Sequence, residues 1–168
     1  MISNSNRARV FGNDVDTDQL APGIYLKQPI EEIAKHCLEA IAPDFASSVK
    51  SGDLVAGGLN FGMGSSREQA AEALRYLGIK TIIAVSFGGI FYRNALNFGL
   101  LPLVCARARE IKESDQVSVN PEAGEIHNIT SGDTYSCEAL PENLLNIIRA
   151  GGLLPHLAEK LDQEAKPQ

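Results

Sequence analysis

The residues best suited to chemistry in this chain are Ser65, Ser66 and Arg67, which lie in a glycine-rich run over residues 62–68. A helical pattern follows the run, so two hydroxyls and a guanidinium are predicted at the N-terminal end of a helix. Unpaired backbone N–H groups and the helix dipole favour anions at such a position. The planar guanidinium of arginine can bind a carboxylate or phosphate through two N–H groups. The run therefore predicts an anion-binding loop.

A simpler interpretation is that Ser65 or Ser66 caps the helix, with Glu68 adding negative charge to its first turn. That interpretation leaves unexplained the glycines around the turn, at positions 57, 58, 62 and 64. Glycine is favoured where the backbone must approach another group closely. The loop has neither the lysine of a P-loop nor the Gly-x-Ser-x-Gly pattern of an esterase, which disfavours nucleotide and ester hydrolysis. Anion binding and simple capping both stay open.

A second polar segment carries Asp14, Asp16 and Asp18 at alternate positions. The spacing could suit calcium, but the twelve-residue loop with its closing glutamate is absent, and solvated turn residues are the alternative. Lys27 could be an ordinary surface lysine. Arg93 lies among apolar residues of a predicted helix, where we expect an ion pair or an interface contact rather than catalysis.

Size and charge limit the class of protein. A chain of 168 residues with 44% hydrophobic and 21% charged residues fits one soluble globular domain over residues 1–168. A net charge of −6 argues against nucleic-acid binding. No apolar run is long enough to span a bilayer or act as a signal peptide, so we expect no membrane contact and a cytoplasmic location.

The cysteines predict no metal site on this chain. There are three, Cys37, Cys105 and Cys137, and they are far apart in the sequence. An odd number without a close pair fits neither a disulfide framework nor a zinc or iron–sulfur ligand set. Cys37 and Cys105 fall in apolar patterns and are expected to act as small buried hydrophobes.

Hydrophobic periodicity predicts the elements that position these residues. The predicted strands cover residues 9–11, 54–56, 81–85, 100–106, 116–120, 125–129 and 134–137. The predicted helices cover residues 30–41, 67–77, 89–97, 141–150 and 154–165. Alternation of strand and helix in the middle, followed by three alternating strands, predicts an α/β domain with a mixed central sheet, flanking helices and an antiparallel β-meander.

Three segments together carry a resemblance to a known family. They are Asp16-Thr17-Asp18-Gln19, Asn60-Phe61-Gly62-Met63-Gly64-Ser65-Ser66-Arg67-Glu68-Gln69 and Ser86-Phe87-Gly88-Gly89-Ile90-Phe91-Tyr92-Arg93-Asn94. From about residue 8 to residue 103 the chain resembles the small subunits of 3-isopropylmalate dehydratase and, more broadly, the swivelling β/β/α domain of the aconitase family. The Ser-Ser-Arg motif in this setting is highly specific.

The resemblance implies half of a two-protein hydro-lyase that is active only with its large subunit. The large subunit would carry a [4Fe–4S] cluster, and this chain would bind no cofactor. The reaction implied is isomerisation of a hydroxy dicarboxylate by dehydration and rehydration. By resemblance, Ser65 is the base, Ser66 orients the substrate, Arg67 holds a carboxylate and Asp18 belongs to the active site.

Departures from the family pattern bear on the substrate. Gln69 stands where a histidine is common, and Gly88-Gly89 where Ala-Arg is common, which we expect to alter support of the loop. Lys27 follows Tyr-Leu, where the family distinguishes apolar from charged substrate branches. A lysine amine is costly to desolvate against an isopropyl group, so Lys27 with Gln28 taken alone favours a polar branch. The resemblance favours 2-isopropylmalate. The alternatives are a homoaconitase-like, citramalate or dimethylmalate dehydratase, a dicarboxylate-binding regulatory module and, last, a hydrolase.

Overall fold

A computed structural model describes residues 5–165 and shows one mixed sheet of seven strands in the order β4-β3-β2-β1-β5-β6-β7. The strands are β1 (Asn6–Val10), β2 (Leu54–Gly57), β3 (Thr81–Ala84), β4 (Leu101–Val104), β5 (Gln116–Asn120), β6 (Glu125–Asn128) and β7 (Thr134–Ser136). The helices are α1 (Thr17–Leu20), α2 (Ile30–Lys35), α3 (Phe45–Ser48), α4 (Gln69–Tyr76), α5 (Gly89–Asn97), α6 (Glu142–Arg149) and α7 (Leu153–Glu164). Short 3-10 helices cover Gly23–Tyr25 and Ala108–Glu110.

The sheet has a parallel and an antiparallel half, as the sequence predicts. Strands β1 to β4 are parallel neighbours, whereas β5, β6 and β7 form the antiparallel meander beside β1. Pro102 lies in β4, an edge strand, where a missing N–H is tolerated. Parallel strands point the same way, so the chain leaves β1, β2 and β3 at one shared edge.

Both faces of the parallel half are covered. Val55 and Ile82 pack in one buried cluster with residues of helices α2, α4 and α5. Their neighbours Leu54 and Ile83 face the other side, in a cluster with residues of β5, β6 and α6. This double burial explains why β2 and β3 are short apolar runs without polar alternation. The two central strands are therefore rigid supports for whatever follows them.

The predicted helix over residues 30–41 is wrong in length, because α2 ends at Lys35. Leu38 has a left-handed backbone with φ of 61°, and its N–H donates to the Gln19 carbonyl at 2.7 Å. Burying Leu38 in the core and bonding its N–H to α1 stops the helix, although periodicity alone would extend it. Residues 36–41 form turns that bury Cys37 and Leu38 but leave Ile41 45% exposed.

Other predictions agree with the structure to within a few residues, and α5 has the predicted bounds. Helix α4 begins two residues later than predicted, at Gln69. Cys37 and Cys105 are buried among apolar side chains, as expected. One domain over residues 1–168 stays a prediction, since residues 1–4 and 166–168 lie outside the described part. That all seven strands share one sheet supports it.

Candidate active site

Three loops meet at the carboxyl edge of the parallel strands. The first loop (residues 11–18, the last two of which begin α1) follows β1, the serine–arginine loop (residues 58–68) follows β2, and the third loop (residues 85–88) follows β3. Parallel bridges join Asp16 to Met63 and Phe61 to Phe87, so the serine–arginine loop lies between the other two. Open α/β sheets bind ligands at this edge. All three segments of the resemblance are therefore brought together by strand order.

Close packing of the loops explains why glycine is needed. Gly62 has φ of 77°, and its N–H donates to the Val15 carbonyl at 2.6 Å. A Cβ at this position would overlap the Phe91 ring. Gly64 has φ of 112°, and a Cβ there would lie 3.0 Å from Thr17 Oγ1. Both positions suit only a residue without a side chain. They allow the serine–arginine loop to pack closely against Phe91 and Thr17.

Ser65 is exposed on this edge and is held by two side chains. Its N–H donates to Thr17 Oγ1 at 3.1 Å, and its Oγ lies 3.2 Å from the same oxygen. Arg67 Nε donates to Ser65 Oγ at 2.8 Å. The capping interpretation is wrong, because Glu68 is the N-cap of α4 and no side chain caps it. The serine hydroxyl is oriented by the site instead of by the helix.

Arg67 donates three hydrogen bonds within the site. Its Nη1 donates to Asp18 Oδ1 at 2.8 Å and to the Ala21 carbonyl at 2.9 Å, in addition to the Nε bond to Ser65. No residue between 5 and 165 accepts a hydrogen bond from Nη2. With Nε and Nη1 occupied, Nη2 is the nitrogen of the guanidinium without a partner in that range. Arg67 is thus a rigid donor group, 20% exposed at its side chain.

Asp18 fixes the outer side of this guanidinium. Its Oδ1 accepts from both Arg67 and the Gly23 N–H, the latter at 2.9 Å. The hydrogen bond from Arg67, and then that from Gly23, hold the pKa of the Asp18 carboxyl below its usual value. Asp18 therefore stays ionised at neutral pH and orients the arginine.

The local field favours an anion. Within the described chain, the backbone N–H groups of residues 66–69 have no acceptor, and they precede or begin α4. These N–H groups directly follow the exposed Ser65 in the chain and include that of Arg67, so donors and positive charge are concentrated beside the serine. The acidic residue nearest to this position in the sequence is Glu68, whose exposed carboxylate opposes anion binding.

The structure does not bring every predicted residue into contact. Ser66 and Lys27 are exposed and form no hydrogen bond or ion pair with a residue in the described range. Lys27 lies in a turn after the Gly23–Tyr25 helix, and this segment begins beside Arg67, since a Cβ on Gly23 would be 3.7 Å from Nη1. Stacking of Tyr25 on His36, with ring centroids 3.6 Å apart, steadies it.

The three aspartates do not converge on one point. Asp16 caps α1 through a capping box with Gln19, and Asp14 accepts from the Asn60 side chain at 2.8 Å. In residues 5–165 no group of three or more His, Cys, Asp or Glu side chains could hold a metal ion. Arg93 is exposed and makes no ion pair there, so that part of its prediction is wrong. None of the described helices could cross a membrane.

One site residue was missed from the sequence. Thr17 contacts Ser65 through its hydroxyl and is 3% exposed, but a threonine between two aspartates carries no distinctive spacing. Its only signal was its place in the segment Asp16-Thr17-Asp18-Gln19, which carried the resemblance. The hydroxyl contact depends on the meeting of two loops that are 48 residues apart.

Comparison with known proteins identifies the class. Residues 31–108 match the aconitase C-terminal domain family. The chain is 44% identical to the methanogen homoaconitase small subunit of Methanothermobacter thermautotrophicus, covering 93% of this chain and 92% of that one. It is 43% identical to the 3-isopropylmalate dehydratase small subunit of Heliobacterium modesticaldum, covering 94% and 96%. The crystal structure of 3-isopropylmalate dehydratase from Methanocaldococcus jannaschii superimposes with a TM-score of 0.90 at 44% identity, covering 99% of this chain and 100% of that one.

The sheet and the serine–arginine loop thus define an α/β domain of the aconitase C-terminal type. At this identity and coverage, the chain belongs to the family of 3-isopropylmalate dehydratase small subunits. The fold and the family predicted from the sequence are confirmed.

Proposed function

We propose that this chain is the small subunit of a hydro-lyase that isomerises a hydroxy dicarboxylate, with Ser65 as the base. The observation that carries the proposal is the placement of Ser65 Oγ on the exposed edge, 2.8 Å from Arg67 Nε and 3.2 Å from Thr17 Oγ1. Membership of a family of dehydratase subunits supports the reaction class. The regulatory-module alternative has no feature here that favours it.

In the proposed reaction, Ser65 Oγ takes a proton from the carbon beside a substrate carboxylate. The electron pair of that C–H bond forms the double bond, and hydroxide leaves from the neighbouring carbon. Rehydration with the hydroxyl on the other carbon completes the isomerisation. A serine is a weak base in water, so its alkoxide needs fixed donors and exclusion of water. Arg67 supplies one donor to Ser65 and, through Nη2, a second group for the substrate carboxylate. Ser66 is assigned to substrate orientation.

The proposal includes a large partner subunit that carries a [4Fe–4S] cluster. Such a cluster would act as a Lewis acid on the departing hydroxyl. Apolar side chains exposed on the three loops and beside them support docking of a partner over this edge. They are Ile24, 83% exposed, with Leu59, Met63 and Ile90, each at least 40% exposed. Closure over these residues would also remove water from Ser65. We place the assembled enzyme in the cytoplasm.

We propose 2-isopropylmalate as the substrate, converted to 3-isopropylmalate. A homoaconitase-like substrate with an additional carboxylate is the second candidate, and the exposed ammonium group of Lys27 favours it. Relatives named for both activities have similar identity, 44% for a homoaconitase subunit and 45% for a 3-isopropylmalate dehydratase subunit of Archaeoglobus fulgidus.

Reconstitution with a large subunit under anaerobic conditions tests the reaction. We expect the isolated chain to be inactive and the mixture to turn over. Ser65→Ala should reduce kcat by about 10⁴-fold or more while the complex still assembles, because loss of a principal base or nucleophile has effects of this order. Ser131→Ala, in the exposed turn before β7, is the matched control and should retain full activity. Normal turnover by the Ser65 variant would end the assignment of the base.

Substrate choice is tested separately. Lys27→Val should raise kcat/KM for isopropylmalate and lower it for homoaconitate, whereas Lys80→Val, an exposed lysine before β3, should change neither. An unchanged ratio of the two values would remove Lys27 from the substrate site. Tight binding of dicarboxylates by the isolated chain in calorimetry, without activity in the mixture, would instead support the regulatory module.

A further inference from the structure

Thr17 is a buried residue whose hydroxyl is directed at the proposed base. Its position is fixed from both sides, since it is the first residue of α1 and its N–H donates to the Met63 carbonyl at 2.9 Å. The capping box of Asp16 and Gln19 holds that helix turn in place. The side chain is therefore presented from a rigid support to the serine–arginine loop.

The Thr17 hydroxyl makes two contacts, both with Ser65. Thr17 Oγ1 accepts the N–H of Ser65 at 3.1 Å, so one of its lone pairs is used. In the described chain, Ser65 Oγ, at 3.2 Å, is the only side-chain acceptor within reach of the Thr17 proton. Arg67 Nε can only donate, and it also donates to Ser65 Oγ. With Thr17 as the donor of the 3.2 Å contact, the Ser65 oxygen receives two hydrogen bonds, one from Thr17 and one from Arg67 Nε.

We propose that Thr17 is a positioning residue that donates a hydrogen bond to Ser65 Oγ and stabilises the alkoxide on which catalysis depends. The inference rests on the proposed function of Ser65 as the base. During proton transfer Thr17 keeps its own proton, and the substrate proton goes to Ser65 Oγ. A donor to the charged form of a group favours that form. Thr17 also holds the Ser65 backbone, so a single hydroxyl fixes both the position and the charge of the base.

The experiment uses the reconstituted two-subunit enzyme with Thr17→Val, which keeps the shape and removes the hydroxyl, and Thr17→Ser, which restores it. Thr81→Val is the matched control, because Thr81 is buried at the start of β3, at the opposite end of that strand from the site. We expect Thr17→Val to lower kcat roughly 10- to 100-fold, the loss typical of one hydrogen bond to a charged group. KM should change by less than about three-fold, since substrate contacts are retained.

A kinetic isotope effect separates positioning from a merely structural role. With substrate deuterated at the carbon that loses its proton, the isotope effect on kcat should rise in Thr17→Val, because proton abstraction becomes slower relative to the other steps. Thr17→Ser should recover most of the rate and the original isotope effect. Thr81→Val should match the wild-type enzyme in both. Thermal unfolding of each variant measures the folded fraction, to which rates are normalised.

Three results would overturn the inference. They are an unchanged kcat in Thr17→Val, a loss confined to KM or to the folded fraction, and a failure of Thr17→Ser to restore the rate. Ser65→Ala, measured in parallel, distinguishes failure of the Thr17 proposal from failure of the assignment of Ser65 as the base. If that variant is inactive while Thr17→Val is normal, only the role of Thr17 fails. If Ser65→Ala is fully active, the proposed base itself is wrong.

Discussion

Replacing Arg67 by lysine is expected to inactivate the assembled enzyme although the positive charge is kept. The guanidinium donates to three separate oxygens, on Ser65, Asp18 and the Ala21 carbonyl, at 2.8 to 2.9 Å. These bonds come from Nε and Nη1, which a lysine replaces with one ammonium nitrogen. That nitrogen cannot occupy both places, so the serine oxygen or the carboxylate must lose its donor.

The expected effects of Arg67→Lys on kcat and on stability follow from the role of each contact of Arg67. Removing a fixed donor from a developing negative charge costs about 10²- to 10³-fold in kcat, and loss of Nη2 should also raise KM. The stability effect should be much smaller. The Asp18 side chain is 67% exposed, so its ion pair contributes below about 1 kcal/mol. The bond to the Ala21 carbonyl adds about 1 kcal/mol. Unfolding cannot therefore account for the activity loss.

Steady-state kinetics of the reconstituted enzyme, together with thermal unfolding of the small subunit, measure both effects. The matched control is Arg107→Lys, because Arg107 binds Glu110 through two N–H groups on the exposed surface. The control should keep wild-type kcat and KM. If Arg67→Lys retained more than half of the wild-type kcat, the geometry of the guanidinium would be irrelevant and the proposed support of the serine would be refuted.

Three further predictions concern the same edge and the thiols. Gly62→Ala should destabilise the fold by about 2–4 kcal/mol in chemical denaturation, because a Cβ overlaps Phe91, whereas Gly89→Ala, with open space around it, should change stability by less than about 1 kcal/mol. The folded-state pKa of Asp18 is lowered, so its stabilisation is present above the unfolded pKa and is lost as pH falls through the folded one; the stability difference between wild type and Asp18→Asn should therefore shrink between pH 5 and pH 2, and a constant difference would contradict this. Burial raises the pKa of Cys137 to about 11, so its alkylation in the folded protein should be slow at pH 7 and accelerate steadily towards pH 10.

Local pattern was sufficient for most elements. The apolar runs of β2 and β3 and the glycine that ends α4 predict those elements to within a few residues. Helix α2 was overestimated because the N–H of Leu38 bonds to the carbonyl of Gln19 in α1, a long-range contact that no periodicity records. The one-turn helix α1 was missed since a single capping box creates it.

The candidate site likewise has one part that the sequence predicted and one part that only the tertiary structure determined. Residue types and order alone identified the serine–arginine loop and the family, because a rare motif needs no coordinates to be recognised. The contact of Thr17 with Ser65, the three hydrogen bonds of Arg67 and the absence of a serine cap on α4 depended on how the three loops meet. Parallel strand order brings residues 48 positions apart within 3.2 Å. Hydrogen bonds depend on distance and angle between such loops, and only the tertiary structure sets those.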